Sequence, residues 1–473
     1  MIIGREQELS VFQNAIQDDS SHFIAVYGRR RIGKTYLIRE AFNYRFTFQH
    51  AGVYNGSLKE QLFAFEASLK DAGQNTKVRA RNWLEAFEEL KDLIRASSEK
   101  KKVLFIDELS WMDTPRSDLM TALENFWNGW ASARKDIVLI VCASATSWML
   151  SKVIHNKGGL YNRLTEKIHL RPFSLAECEK YVAAKNYALT RDQILQYYMV
   201  FGGVPFYWSF LKKGLSLPQN IDCILFEEDA PLKNEFDYLY AAIFKNPKIH
   251  LKIIQALGRR KAGMTRNEII SSAAIPNSGD LTKKLKELES CGFIRSYQMF
   301  GKEKKDTVYQ LMDNFTLFYY QFMERAPTDP HFWSNQINTP AVNSWMGLAF
   351  ERVCLEHVDQ IKMKLGISGV LTESQSWQCR KDPEKGIHGS QIDLLIVRKD
   401  QVINLCEMKY SQTEYAVTGK DRDGILHKMQ DLVTSTGTRY AIHPTLITCI
   451  GTVSNSNTDI IQSVVTADDL FKE

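Results

Sequence analysis

Gly28-Arg29-Arg30-Arg31-Ile32-Gly33-Lys34-Thr35 is the stretch on which the fold turns. It has the spacing G-x-x-x-x-G-K-T and follows an apolar run, His22-Phe23-Ile24-Ala25-Val26-Tyr27. Tyr36-Leu37-Ile38-Arg39-Glu40-Ala41-Phe42 comes directly after it. The first flank reads as a buried strand and the second as the start of a helix. Glycines let the backbone curl so that successive N–H groups face one anion, and the helix N-terminus adds partial positive charge. In such a loop Lys34 reaches the β- and γ-phosphates of a nucleotide and the Thr35 hydroxyl holds Mg²⁺. Arg29, Arg30, Arg31, Ile32 and Tyr36 then border the phosphates. The alternative is a glycine-containing turn that binds nothing.

A phosphate site of this kind needs a carboxylate near the metal. Val103-Leu104-Phe105-Ile106 fits a central parallel strand and ends in Asp107-Glu108. Asp107 can hold the Mg²⁺ shell, and Glu108 can orient and polarise an attacking water. That second carboxylate is a hydrolysis signal, because a nucleotide binder alone has no use for it. Without the phosphate loop, an acidic pair after a strand reads as a solvated turn. A third strand, Ile137 to Cys142, leads into Ala143-Ser144-Ala145-Thr146. Ser144, with Thr146 second, is the candidate to sense the γ-phosphate, and a helix cap is the alternative role. Arg163, in Gly159-Leu160-Tyr161-Asn162-Arg163-Leu164-Thr165, is a candidate cation for the same phosphate.

With Ile3-Gly4-Arg5-Glu6-Gln7-Glu8-Leu9 before them and Phe201-Gly202-Gly203-Val204-Pro205-Phe206-Tyr207 after, these motifs resemble archaeal-type ATPases. Those are P-loop NTPases of the AAA+/STAND group. The resemblance implies ATP and Mg²⁺ as ligands, with Gly4 and Arg5 near the adenine. It also implies a winged helix and a C-terminal nuclease-like domain behind the ATPase core. The chain departs from the pattern after the third strand, where Ala143-Ser144-Ala145 replaces the Gly-Ser-Ser common in relatives.

The middle of the chain fits these expectations. A helical lid is expected from Ser174 to about Ala230. Ile249–Gly258, Met264–Ile269 and Gly279–Leu288 then read as three helices, the second with Thr265 as cap and Glu268 three residues on. Cys291–Arg295 enters a strand, Gly301-Lys302-Glu303-Lys304-Lys305 turns, and Val308–Leu311 returns, the order of a winged helix. From Ser278 to Lys305 seven Lys/Arg (283, 284, 286, 295, 302, 304, 305) stand against four Asp/Glu (280, 287, 289, 303). These cations could meet DNA phosphates, or the segment could dock protein with its charges solvated.

The last third carries a second constellation. Trp345–Val353 lies in a long helix with Glu351, and a strand follows around Val370 to Trp377. Ser390–Val397 and Val402–Lys409 form a hairpin, and a helix from about Asp421 to Thr434 leads to a strand through Leu446–Ile450. Strand alternation puts Glu407 and Lys409 on one face, with Asp393 on the neighbouring strand. Two carboxylates plus a backbone carbonyl can bind Mg²⁺ or Mn²⁺, Lys409 can orient water, and Glu351 can complete the shell. The order αβββαβ with Asp393, Glu407 and Lys409 resembles the PD-(D/E)xK nuclease fold, although Ile392 stands where the Pro would. A surface hairpin with a Glu407–Lys409 ion pair is the alternative.

A length of 473 residues suits about three or four domains. They are expected as a P-loop ATPase core (1–173), a helical lid (174–240), a winged helix (241–325) and a nuclease-like domain (326–473). The fold class is multidomain α/β. No C-x-x-C pair occurs among eight cysteines, which read as reduced core residues of a cytoplasmic protein. No signal-peptide pattern and no long apolar run is seen, so no membrane partner is expected. A net charge of +5 permits DNA binding without arguing for it. Two functions stay open. One is an ATP-driven nuclease, suited to defence or mobile-element processing. The other is an ATP-dependent signalling switch whose winged helix and nuclease-like domain only bind DNA, protein partners or copies of the chain, without cutting.

Overall fold

The computed structural model describes residues 2–74, 79–156, 158–244, 246–302 and 306–473. Two compact units emerge, the first spanning residues 1–172 and 242–245 and the second 173–241 and 246–473. No helix among the described residues is long and apolar enough to cross a membrane.

The first unit is built on β1 (His22–Tyr27), β2 (Phe48–Ala51), β3 (Lys102–Asp107), β4 (Ile137–Ala143) and β5 (Glu166–His169). All pair in parallel, in the order β2-β3-β4-β1-β5. Alternation along the central strands feeds two cores. Phe23, Ala25, Leu139 and Val141 pack on one face with Phe65, Trp83, Phe87 and Phe126. Ile24, Val26, Ile140 and Cys142 pack on the other with Phe12, Ile38 and Phe42. Covered on both faces, β3 and β4 are buried along their full length, which explains the apolar runs Val103–Ile106 and Ile137–Ala143. Parallel pairing also brings the carboxyl ends of β1, β3 and β4 to one edge, where ligands bind in open α/β sheets. Gly4 and Arg5 both take left-handed backbone and turn the chain directly into the helix Glu6–Gln17.

The second unit opens with the helices Leu175–Ala184, Arg191–Phe201 and Leu217–Leu225. Ser174 and Glu177 form a capping box on the first. Gly203 lies against Phe173, whose N–H donates to the Gly203 carbonyl at 2.6 Å. Three more helices follow, Lys248–Gly258, Arg266–Ala273 and Gly279–Ser290, with a small antiparallel sheet. Its strands β6 (Met264–Thr265), β7 (Ile294–Tyr297) and β8 (Val308–Leu311) are ordered β6-β8-β7. In the basic turn, Lys302 is exposed. Glu303, Lys304 and Lys305 lie outside the described residues.

The helix Pro340–Glu356 begins the last part, followed by β9 (Thr372–Gln378), β10 (Gln391–Arg398), β11 (Val402–Lys409) and the short β12 (Tyr415–Ala416). The helix Gly419–Thr436 crosses to β13 (Ala441–Thr448), and β14 (Thr452–Val453) and β15 (Ser463–Thr466) complete the strands. The main sheet runs β15-β13-β11-β10-β9, antiparallel from β9 to β11 and parallel from β11 to β15. The strand expected at Leu446–Ile450 starts earlier and ends at Thr448, and β15 extends the sheet beyond it. None of the eight cysteines is in a disulfide, and most are buried.

A methyl group on Gly203 would sit 1.8 Å from the Phe173 carbonyl oxygen and 2.7 Å from its carbon. Backbone cannot swing aside as a side chain does. Gly203→Ala is therefore expected to destabilise the second unit by about 1–3 kcal/mol, read as a lower midpoint in urea unfolding.

Candidate active site

The loop between β1 and the helix Lys34–Ala41 owes its shape to three left-handed residues, Gly28 (φ +147°), Arg31 (φ +73°) and Gly33 (φ +86°). A methyl on Gly28 would meet the Leu170 carbonyl oxygen at 2.2 Å, so only glycine fits there. Ile32 is buried and anchors the loop, whereas Tyr36 is exposed. Lys34 turns back into the loop it follows. Its Nζ donates to the carbonyls of Gly28 and Arg29 at 2.9 Å each and to Ser144 Oγ at 3.1 Å. With 5 % of its surface exposed, the ammonium relies on these oxygens in place of water.

The ends of β3 and β4 complete the cluster. Thr35 Oγ1 donates to Asp107 Oδ2 at 2.6 Å, and the Glu108 N–H donates to Asp107 Oδ1 at 2.9 Å. Glu108 has left-handed backbone (φ 48°, ψ 45°), a conformation costing about 1–3 kcal/mol when a bulky side chain adopts it. That turn aims its carboxylate at Ser144, whose N–H and Oγ donate to Oε2 and Oε1 at 3.0 and 2.5 Å. Gly52, which the sequence reading passed over, supports the turn. Its N–H donates to the Asp107 carbonyl at 3.0 Å, and a methyl there would lie 2.7 Å from the Glu108 carbonyl oxygen. The sequence carried little signal for it, because the strand before it, Phe48–Ala51, is short and half polar.

Other candidates fall into place around this cluster or outside it. Thr146 is fully buried, and its hydroxyl makes no hydrogen bond. The short helix Thr146–Met149 has Ala145 at its N-cap, so Ser144 does not cap it. Arg5 donates to the Arg171 carbonyl at 2.7 Å, tying the Gly4-Arg5 turn to the chain just after β5. Nearby, Tyr27 and His169 stack at 4.7 Å, and burial followed by the Arg171 charge lowers the His169 pKa. Arg163 is exposed.

In the second unit, Leu394 pairs with Cys406, so the next step of the register sets Asp393 across from Glu407. Met408 is buried on the opposite face from Glu407 and Lys409. Glu407 is held by lysines, with Lys428 Nζ at 2.6 Å and Lys409 Nζ at 3.1 Å. Lys409 also approaches Asp421 at 3.7 Å. Burial opposes the charge on Lys409, but Glu407 prevails and raises its pKa. Glu351 pairs with Lys261 at 2.6 Å. Burial pushes the Glu351 carboxyl up, the Asp393 charge adds to this, and Lys261 works against it. Among the described residues, no three His, Cys, Asp or Glu converge as a metal site. Of the basic residues expected to meet DNA, Lys283, Lys286 and Lys302 are exposed. Lys284 pairs with Glu287 at 3.3 Å, and Arg295 donates to Gln310 Oε1 at 2.7 Å.

Residues 2–209 match the family model described as an ATPase domain predominantly from Archaea. An uncharacterized protein of Methanocaldococcus jannaschii is 23% identical over 428 residues, 89% of each chain. Among solved structures, the Walker-type ATPase of Pyrococcus abyssi aligns with a TM-score of 0.46 and 15% identity, over 67% of this chain and 95% of that one. The ORC2 protein of Aeropyrum pernix, solved in ADPNP-ADP complexes, aligns with a TM-score of 0.41 and 15% identity, over 75% and 93%. Cdc6p of Pyrobaculum aerophilum aligns with a TM-score of 0.34 and 13% identity, over 74% and 94%.

Lys34→Ala removes the cation that the loop encloses. It is expected to abolish saturable ATP binding in a fluorescence titration, whereas Arg163→Ala leaves binding in place. Retained affinity in the Lys34 variant would count against the whole cluster.

Proposed function

We propose that the chain binds ATP with Mg²⁺ at residues 28–35 and hydrolyses it. The observation that carries this reading is the convergence of Lys34, Thr35, Asp107, Glu108 and Ser144 at the carboxyl edge of one parallel sheet. The match of residues 2–209 to an ATPase-domain model supports it. Thr35 and Asp107, already in contact, supply a hydroxyl and a carboxylate suited to a hard divalent cation. Mg²⁺ bound there would neutralise charge on the β- and γ-phosphates. Lys34 exchanges the Gly28 and Arg29 carbonyls for phosphate oxygens. Glu108 orients the attacking water and accepts its proton, and Ser144 links that carboxylate to Lys34.

The segment from Lys248 to Leu311 is read as a winged helix, with Lys283, Lys286 and Lys302 as its exposed cations toward DNA. The part from Pro340 onward is read as a nuclease-like domain in which Asp393, Glu407 and Lys409 act on phosphodiesters and Glu351 assists with the metal. The ion pairs of Glu407 with Lys409 and Lys428 favour a second reading. In that one the C-terminal part binds partners without cutting, and ATP drives a switch.

Glu108→Gln keeps the size of the side chain and its bond to Ser144 but cannot take a proton. ATP affinity is expected to stay near wild type while steady-state hydrolysis falls by about 10²-fold or more, in the range of a lost general base. Unchanged turnover would remove Glu108 from the mechanism. DNA incubated with Mn²⁺ separates the two C-terminal readings. Cleavage lost in Asp393→Ala supports the nuclease, and intact DNA with normal ATP turnover supports the switch.

A further inference from the structure

At the edge of the first sheet lies a cleft that the phosphate site does not use. Its volume is about 310 Å³, within the range of small-molecule sites. It draws on β2, the outermost strand of that sheet, on the helix Lys34–Ala41 and on the helix Leu58–Asp71. Arg39, His50, Ser68 and Asp71 line it with polar groups, and the rings of Phe46 and Phe105 give it an apolar wall. Those two rings pack together with centroids 5.6 Å apart.

His50 is 5 % exposed, and its hydrogen bond fixes its tautomer. Ser68 Oγ gives its one proton to the Ala64 carbonyl at 3.1 Å, so it accepts from His50 Nδ1 at 2.9 Å. The ring proton therefore sits on Nδ1, and Nε2 keeps a lone pair. Burial pushes the imidazole pKa down to about 4, so the ring stays neutral at neutral pH. Nε2 is buried and makes no hydrogen bond. A buried acceptor without a partner is costly, and a donor brought by a ligand would relieve it.

Arg39 has the opposite deficit. Its Nε–H is buried without an acceptor, and its guanidinium makes no ion pair among the described residues. Asp71 is exposed and likewise makes no ion pair among the described residues. One cleft thus holds a cation, an anion and an orphan acceptor that do not satisfy one another. A guanidinium matches a carboxylate through two parallel N–H···O bonds. The His50 lone pair and the Asp71 carboxylate both suit an ammonium group. A small molecule that carries both ends on one frame is an α-amino acid, and Phe46 and Phe105 suit the apolar part of its side chain.

We propose that this cleft binds a free α-amino acid, with its carboxylate on Arg39 and its ammonium group shared between His50 Nε2 and Asp71. No residue lining the cleft belongs to the proposed ATP site, so the inference stands apart from that reading.

Calorimetric titration of the full chain, without nucleotide or Mg²⁺, with each of the twenty standard amino acids is the test. At least one is expected to bind saturably, one molecule per chain. Arg39→Gln and Asp71→Asn are each expected to weaken that binding about tenfold or more, in the range of a lost charge-assisted hydrogen bond. The methyl ester of the same amino acid, which lacks the carboxylate charge, is expected to bind about tenfold weaker to wild type and no weaker than the free acid to Arg39→Gln. His50→Phe keeps a ring but removes the lone pair, and it is expected to lose affinity to a similar degree. Melting temperature checks its folding, and should it fail to fold, the Arg39 and Asp71 variants carry the test. Folded wild type that shows no saturable binding of any of the twenty would overturn the proposal. Affinity unchanged in either Arg39→Gln or Asp71→Asn would overturn it too, as would an N-acetyl derivative that binds as tightly as the free amino acid.

Discussion

A chain of hydrogen bonds across three strand ends is the constraint on which the ATPase assignment depends. Thr35 bonds Asp107, the Glu108 N–H bonds Asp107, Glu108 accepts from Ser144, and Ser144 accepts from Lys34. Its five members come from three places, the start of the helix after β1 and the ends of β3 and β4, so the chain of bonds exists only when those strands pair in parallel and in register. It also fixes positions before any ligand arrives. The left-handed turn at Glu108 and the close approach of Gly52 hold the carboxylate where packing alone would not leave it. Local strain persists at such a place because the surrounding sheet over-determines it.

The same bonds balance the buried charge of Lys34. Lys34 is satisfied by two loop carbonyls and a hydroxyl, all neutral acceptors. Phosphate oxygens carry full charge and make shorter, stronger bonds to an ammonium. Under the proposed reading, exchange of partners favours a phosphate at Lys34. The second unit handles its carboxylates differently. Glu407 and Glu351 are met by lysine ammonium groups, so their charge is already balanced and any incoming cation must displace a resident one.

Much of the first unit was legible in the sequence because its central strands are buried on both faces and read as unbroken apolar runs. The glycine spacing and the acidic pair were legible for the same reason: backbone shape and charge placement leave few alternatives at those positions. The edge strands β2 and β5 were not, since Phe48–Ala51 and Glu166–His169 are short and half polar. Ser144 was the first choice in that turn and Thr146 the second. Two residues along the turn separate them: Ser144 meets both Lys34 and Glu108, and the Thr146 hydroxyl is buried without a partner. At the N-terminus, two left-handed residues, Gly4 and Arg5, turn the chain at once into a helix. In the C-terminal part, periodicity located the hairpin of Asp393 and Glu407. The pairing of Lys261 with Glu351 had no local signal, since the two residues meet only through tertiary folding.

Calorimetric titration of the full-length protein with ATP and Mg²⁺ tests the central claim most directly. The account predicts saturable binding with one nucleotide per chain, weakened when Mg²⁺ is chelated. Heat that never saturates, or binding indifferent to Mg²⁺, would contradict the assignment of Thr35 and Asp107 to the metal and of residues 28–35 to the phosphates.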